Sequence, residues 1–464
     1  MKENAFTHYI RDNTLYNRLL DAASDDKLPI LDNKSFELLN KTYGKDKMRT
    51  HLADYIASER PVFPLTEISK DDMKQNFYKL QKFDTSTICI PKEEVEKEVF
   101  EKYDDYEYPY SEHGLGLING GSNFNKVSNY FMQDLRLECG SYGFRAPKEV
   151  WENGTAYDIW KCLGPIWRGI NKVHPVKVTQ PDGTIVEELK GGSITPQCIV
   201  EAFRLGTYIA TQFKPVVAKA IYDITEAKKV LDTSCGWGDR LAGFYTSKAK
   251  EYIGCDPNPN TFARYMNQVD EYERILGNPN PIIKEERDHF TINATKKVTI
   301  YRCGAEDLPW DEIKDVDTAF TSPPYFSTEE YNKGGEHEED QSWAKFNEYD
   351  KWRDDFYLPV AENTMKVSKY MFVNIMDPKI HGERYRSSDE LVDKFKDKFL
   401  GQIGMRIMQR PQGKAVFNDE DGNFSKEKLD EHMNKMFIEN VWCFGPETDL
   451  YKYSRKSTLD EFFA

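Results

Sequence analysis

The sequence predicts an α/β fold over residues 191–464, a seven-stranded, doubly wound sheet, preceded by a mainly helical α+β region over 1–190. Three observations lead there. From about residue 191, short apolar runs alternate with helical patterns, the signature of a parallel sheet. Three of the expected strands end in acids, placing charged groups where open α/β sheets bind ligands. Before residue 191 the pattern is helical, with one expected hairpin.

The N-terminal elements come first. Helices are expected near Thr14–Ala23, Ser35–Tyr43 and Asp71–Leu80, with Asp or Ser close to their starts as caps. Residues 93–114 are acidic and rich in tyrosine and read as a solvated linker or loop, or as a partner-docking segment. Gly114, Gly116, Gly120 and Gly121 do not read as a phosphate-binding fingerprint, because no strand is expected before them and no helix directly after. Val176–Thr179 and Thr184–Glu188 flank Gln180-Pro181-Asp182-Gly183, turn chemistry between β-branched runs, so a hairpin is expected. In the C-terminal region the expected strands are Lys229–Leu231, Tyr252–Cys255, Val298–Cys303, Thr318–Phe320, Tyr370–Ile375, Arg406–Met408 and Ile438–Phe444.

Composition limits the function classes. The formal charge of −15, with both halves acidic, argues against a protein that coats nucleic acid non-specifically, though not against a local basic groove. Aromatic content of 13% is enough for real cores. No apolar run approaches the roughly 18 residues a membrane span needs, and Met1–Ile10 has no apolar core of a secretory signal. The eight cysteines form no C-x-x-C pair, so buried free thiols in a reducing cytoplasm are expected, with no metal site.

The first strand ends in Asp232, followed by Thr233-Ser234-Cys235-Gly236-Trp237-Gly238-Asp239-Arg240. Gly236 and Gly238 would let the backbone approach a bulky ligand. The second strand ends at Asp256, an acid suited to accept hydrogen bonds from two ribose hydroxyls. Past the third strand, Glu306 and Asp307 could hold an adenine amino group. Lys214-Pro215, leading into a helix before the first strand, is a further candidate pocket wall.

The fourth strand runs into Thr321-Ser322-Pro323-Pro324-Tyr325-Phe326. The prolines stiffen this loop and remove N–H donors, leaving carbonyls and the Ser322 hydroxyl as acceptors. Tyr325 offers a flat face with a polar tip. An amino group on an aromatic base is a poor nucleophile, because its lone pair is delocalised into the ring. Acceptors that take both N–H bonds favour a pyramidal, reactive nitrogen.

Thr321-Ser322-Pro323-Pro324-Tyr325 resembles the S-P-P-Y form of the motif of S-adenosylmethionine-dependent amino-methyltransferases, which act on N4 of cytosine or N6 of adenine in DNA. Asp232 to Gly238 resembles their cofactor loop, and Phe213-Lys214-Pro215 the motif before it. Asp340-Gln341-Ser342-Trp343, Tyr349, Trp352, Phe356 and Tyr370–Asp377 resemble later parts of the same domain, and Gly-Trp-Gly-Asp-Arg resembles phage-type members. The likeness covers roughly 191–446. It implies the methyltransferase version of the doubly wound sheet, whose last strand is antiparallel. It also implies S-adenosyl-L-methionine held by Lys214, Pro215, Asp232, Ser234, Gly236, Gly238, Asp256, Glu306, Asp307 and Thr321. Catalysis would fall to Ser322, Pro323, Pro324 and Tyr325. The loop departs from the family in reading Asp-Thr-Ser-Cys-Gly in place of Asp-Pro-Phe-x-Gly. Serine at the first motif position favours cytosine over adenine.

A base inside a duplex must be flipped out or met on a single strand. Two segments are candidate backbone contacts: one interleaves aromatic and basic residues and includes Trp167, Arg168 and Lys172, and the other is basic, with Arg406, Arg410 and Lys414 around Gln409, Pro411, Gln412 and Gly413. Residues 1–190 are open to target recognition, homo-oligomerisation or binding of a protein partner. RNA or another amino group as substrate, and a silent protein on this fold, remain the alternatives.

Overall fold

The computed structural model describes residues 4–23, 27–95, 113–141, 143–167, 174–179, 184–190, 192–380, 382–407, 425–428 and 437–450. The chain forms two compact units, one of Met1–Glu67 with Arg136–Ala210, the other of Ile68–Leu135 with Thr211–Ala464. This corrects the expected division at residue 190.

The first unit is mainly helical. Its helices include Asn13–Asp21, Asn33–Tyr43, Lys45–Glu59, Ala156–Leu163 and Pro196–Gly206. Asp12 and Asp32 cap the first two through their side chains, and Thr155 caps the fourth in a capping box. Their apolar faces meet in one core around Leu15, Leu52, Tyr55, Trp151, Leu163 and Phe203. The hairpin is present as His174–Thr179 paired antiparallel with Ile185–Lys190.

The second unit is built on an eleven-stranded mixed sheet, where seven strands were expected. Its seven central strands are β1 (Lys229–Asp232), β2 (Glu251–Cys255), β3 (Lys297–Tyr301), β4 (Val316–Thr321), β5 (Ser368–Asn374), β6 (Phe399–Ile407) and β7 (Phe437–Phe444). They lie in the order 6-7-5-4-1-2-3. Strands β5, β4, β1, β2 and β3 are mutually parallel, in the order shared by doubly wound folds. Strand β7 lies antiparallel between β5 and β6, so the last strand has the expected sense.

The four additional strands extend the edges. His289–Asn293 pairs antiparallel with β3, and Ile283–Glu285 pairs with it in turn. On the other side Leu115–Ile118 runs parallel to β6, and Cys89–Pro91 pairs with it. Thus Gly116 lies in a strand, and the helix Lys126–Arg136 follows Gly120 and Gly121, against the expectation for that glycine-rich stretch. The segment Ile68–Leu135 belongs to this unit, and two of its described residues show how it is tied in. The Ser128 hydroxyl bonds to the buried Asp239 carboxylate, and the Gly120 carbonyl accepts from Lys214 at 2.7 Å.

The central strands form because they are short, apolar on both faces and punctuated by prolines that start helices. Val230, Leu231, Tyr252, Cys255, Ala319, Phe320, Met371 and Phe372 are all buried, as expected of parallel strands covered on both sides. Pro215 opens the wholly buried helix Pro215–Ile224, and Pro259 opens Pro259–Ile275. All eight cysteines are free, and seven are buried. Among the described residues no helix is long and apolar enough to cross a membrane.

Candidate active site

The parallel strands of the second unit turn their carboxyl ends to one edge of the sheet, and the loops there carry most of the residues singled out by sequence. At the end of β1, Asp232 is fully buried. Its carboxylate accepts from Arg240 Nε at 2.9 Å, from the Tyr252 hydroxyl at 2.7 Å and from the Ser234 N–H at 3.2 Å. Arg240 also donates to the Ser234 carbonyl. A carboxylate held by three donors of the chain shapes the loop from within.

The loop curls through two left-handed glycines, Gly236 at φ 54° and Gly238 at φ 69°. A β-carbon on Gly238 would lie 2.2 Å from Gln268 Oε1, so a side chain there would have to displace the Gln268 amide and adopt the left-handed backbone. Gln268 Nε2 donates to the Gly238 carbonyl at 2.8 Å, and the Tyr265 hydroxyl donates to that of Gly236. The loop is thereby pinned to the helix Pro259–Ile275.

Asp256, past the end of β2, is 8% exposed. It accepts from the Gly236 N–H at 2.8 Å, the Asn258 N–H at 3.1 Å and the Thr261 hydroxyl at 3.1 Å. All three donors are neutral. Burial therefore outweighs them and raises the carboxyl to about 6.

Past β3, Glu306 takes an ion pair from Lys345 through Oε1, whereas its Oε2 is buried with no hydrogen-bond partner among the described residues. A buried acceptor left without a donor is costly, and it fits a donor brought by a ligand. Asp307 differs: its side chain is 62% exposed and reaches Lys345 only at 3.3 Å.

The loop after β4 is joined directly to the loop after β1. The Ser234 hydroxyl lies 2.8 Å from that of Thr321 and donates to the Ser322 carbonyl at 3.1 Å. Thr233 donates to the Thr321 hydroxyl at 3.0 Å. Two of the carbonyls expected to be free are therefore occupied: Ser322's by Ser234, and Pro324's by the Phe326 N–H at 2.9 Å. The Ser322 hydroxyl is half-buried and lies 3.3 Å from the Tyr325 hydroxyl. Phe326, at φ 53°, turns its ring into a cluster with Tyr349, Trp352 and Tyr385.

Two residues at this edge escaped the sequence reading. Tyr325 donates to Glu439 Oε1 on β7 at 2.8 Å and lies 3.2 Å from Asn374 Oδ1 on β5. Asn374 ends β5 as an unremarked polar residue; Glu439 was visible as the one charge inside β7.

The remaining candidates divide. Lys214, buried at the start of its helix, gives its ammonium to the carbonyls of Gly120 and Arg406, and desolvation lowers it to about 8. Pro215 is buried as the first residue of that helix. Arg406 is exposed and donates to Asn119 Oδ1 at 3.0 Å. Trp167 lies in the first unit, packed against Phe36 and donating to Asn40 Oδ1 at 2.9 Å; this is a core contact. Arg168, Lys172, Arg410 and Lys414 lie outside the described residues. Among the described residues no three His, Cys, Asp or Glu side chains gather as metal ligands.

No family model matches the chain, and no curated protein matches it. Solved structures with partial likeness include Trm1 from Pyrococcus horikoshii in complex with S-adenosyl-L-methionine, 12% identical with a TM-score of 0.27, covering 53% of this chain and 58% of that one. A SAM-dependent methyltransferase from Agrobacterium tumefaciens is 12% identical with a TM-score of 0.27, covering 60% of this chain and 72% of that one. Likenesses this distant transfer no activity, and the strand order stands on its own.

Proposed function

We propose that the second unit transfers a methyl group from S-adenosyl-L-methionine to the exocyclic amino group of a nucleic-acid base, N4 of cytosine in DNA ahead of N6 of adenine. The observation that carries this reading is the join between the two loops: Ser234, in the glycine loop after β1, is bonded to Thr321 and Ser322 of the Ser-Pro-Pro-Tyr loop after β4. These neighbouring strands lie where the order of an open sheet reverses, the place such sheets bind ligands.

The residues present suit the cofactor. Gly236 and Gly238 keep side chains out of the loop; Asp256 offers a buried carboxylate, and Glu306 Oε2 an unfilled acceptor. When bound, S-adenosyl-L-methionine supplies an electrophilic methyl group on sulfur. The chain's own part is to hold and orient. Tyr325 would stack on the base, and the Ser322 hydroxyl would accept from its amino group, favouring a nitrogen lone pair free to attack. Because the amino group lies within the base pair, the base must leave the duplex or be met on a single strand.

Methyl incorporation from labelled cofactor into duplex DNA, single-stranded DNA and RNA tests the reading. Digestion of the product to nucleosides should give N4-methylcytosine, or else N6-methyladenine. Label confined to RNA would move the substrate class to the RNA alternative. Label as 5-methylcytosine would exclude amino transfer, since attack through C5 needs a cysteine and Thr321–Phe326 has none.

A further inference from the structure

Strand β7 is apolar over most of Phe437–Phe444, with Ile438, Val441, Trp442 and Phe444 buried. Glu439 interrupts it. Desolvation raises its carboxyl above the ordinary range, while the charge of Lys214 and hydrogen bonds from Tyr325 and Asn374 act the other way. A charge placed so needs partners, and its site explains them. Since β7 is antiparallel, its first residues lie at the edge where β4 and β5 end, with Met405 of β6 opposite Glu439 and Val441 opposite Asn374.

We infer that Glu439 is a positioning residue: through its bond to the Tyr325 hydroxyl it fixes the tyrosine ring on which the target base stacks. The inference rests on the proposed function for the identity of the base. A phenol carries a single proton, and a carboxylate oxygen at 2.8 Å is a stronger acceptor than the Asn374 amide oxygen at 3.2 Å. Asn374 is itself oriented, because its Nδ2 donates to the Asn440 carbonyl at 3.0 Å. The ring is thus held at its backbone end by the Pro323-Pro324 loop and at its hydroxyl end by β7. A ring held in advance loses less rotational freedom when a base arrives, so binding and reaction both gain.

The test uses the full chain and the variants Tyr325→Phe, Glu439→Ala, Glu439→Gln and the Tyr325→Phe/Glu439→Ala double. The substrate is whichever polynucleotide the wild type methylates. Tyr325→Phe and Glu439→Ala should each raise KM for the polynucleotide and lower kcat, together by roughly 5–30-fold, as expected for one or two kcal/mol. Cofactor affinity and Tm should stay near wild type. The double variant should be no worse than Glu439→Ala, because both singles remove the same Tyr325–Glu439 bond. Glu439→Gln, which keeps an acceptor, should recover most of the loss. Additive effects, a normal Glu439→Ala, or a Gln variant as impaired as Ala would overturn the assignment. A second readout needs no turnover: with ring-labelled tyrosine, the Tyr325 resonance should shift or broaden in Glu439→Ala. An unchanged resonance overturns the inference. A wild type that methylates no polynucleotide would defeat the proposed function, and the resonance would then decide the role of Glu439 by itself.

Discussion

Asp232 and Asp256 end neighbouring strands and are both buried, yet the structure gives them opposite surroundings. Asp232 meets a cation, with Arg240 Nε at 2.9 Å and the Tyr252 hydroxyl on the same oxygen. Asp256 meets only neutral donors, from Gly236, Asn258 and Thr261. One charge is balanced by the protein; the other is tolerated at a cost and is better placed to take donors from a ligand. An acid at a strand end is thus not in itself a binding group. What decides is whether the fold has already supplied its counter-charge.

The contrast is broken or kept most directly by one substitution made at both positions. Asp232→Asn leaves Arg240 buried without its counter-ion, and removing one partner of a buried pair costs about 3–5 kcal/mol. Urea unfolding should show a loss of that size; a loss under 1 kcal/mol would mean Asp232 does not anchor the loop. Asp256→Asn should instead change how stability depends on pH. The folded carboxyl titrates at about 6, above an unfolded value near 3.9. A raised value means that the native state binds the proton more readily. The contribution to stability is therefore full below about pH 4 and is lost as pH rises through about 6. Asn, which carries no charge, escapes that loss. Measured against wild type, the variant should therefore gain about 2–3 kcal/mol between pH 4 and pH 8, offset at every pH by the amide NH2 that faces a donor where the carboxylate accepted. It should also bind S-adenosyl-L-methionine more weakly, by about 1.5–3 kcal/mol in calorimetry. A stability difference from wild type that stays the same between pH 4 and pH 8, or an equal affinity, would remove the distinction between the two acids.

A second contrast separates the loops after β1 and β4. The first is locked from below by Arg240, Tyr265 and Gln268; the second ends in half-buried Ser322 and Tyr325. Tyr325→Ala removes a stacking face worth about 1–3 kcal/mol per base, so it should weaken polynucleotide capture and slow transfer. Ser322→Ala should lower kcat more than it weakens cofactor affinity, because the acceptor matters most as the amino nitrogen pyramidalises. Neither should move Tm much. Near-normal transfer by both variants, with intact folding, would show that Thr321–Phe326 is not the reacting loop.

The five parallel central strands and β7 could be read to within a few residues, since each is a short apolar run bounded by turns. Strand β6 could not: Arg406–Met408 was expected, and Phe399–Ile407 is observed. Its Gly401, Gln402 and Gly404 look like loop, but Gly404 sits in close packing, as a β-carbon there would lie 3.2 Å from Ile438 and 3.3 Å from Leu117. The edge strands, of three to five residues, are too short to show a period. The division of the chain at 67, 135 and 210 was hidden because it depends on which distant segments touch, and composition does not change there. In the site, residue types at strand ends were readable and their partners were not. Arg240 stands eight residues after Asp232, but only the fold shows that the two meet.

The smallest expected effect lies at the end of β3 and refines the same lesson. Glu306 and Asp307 are adjacent acids, both paired with Lys345, and sequence alone assigns both to the adenine amino group. Their surroundings differ. Glu306 is mostly covered and keeps one buried oxygen without a donor, whereas Asp307 is largely in water. An exposed ion pair is screened, since water solvates both charges nearly as well apart as together. Asp307→Asn should therefore change stability and cofactor affinity by no more than about 0.5 kcal/mol. Glu306→Gln replaces an acceptor oxygen by a donor or turns it away, so cofactor affinity should fall by the larger amount, about 1–3 kcal/mol. Titrating both variants with S-adenosyl-L-methionine compares them directly. Equal losses would mean that the two acids share the ligand. A loss confined to Asp307→Asn would place the pocket on the solvent side of Lys345, against the burial that singles out Glu306.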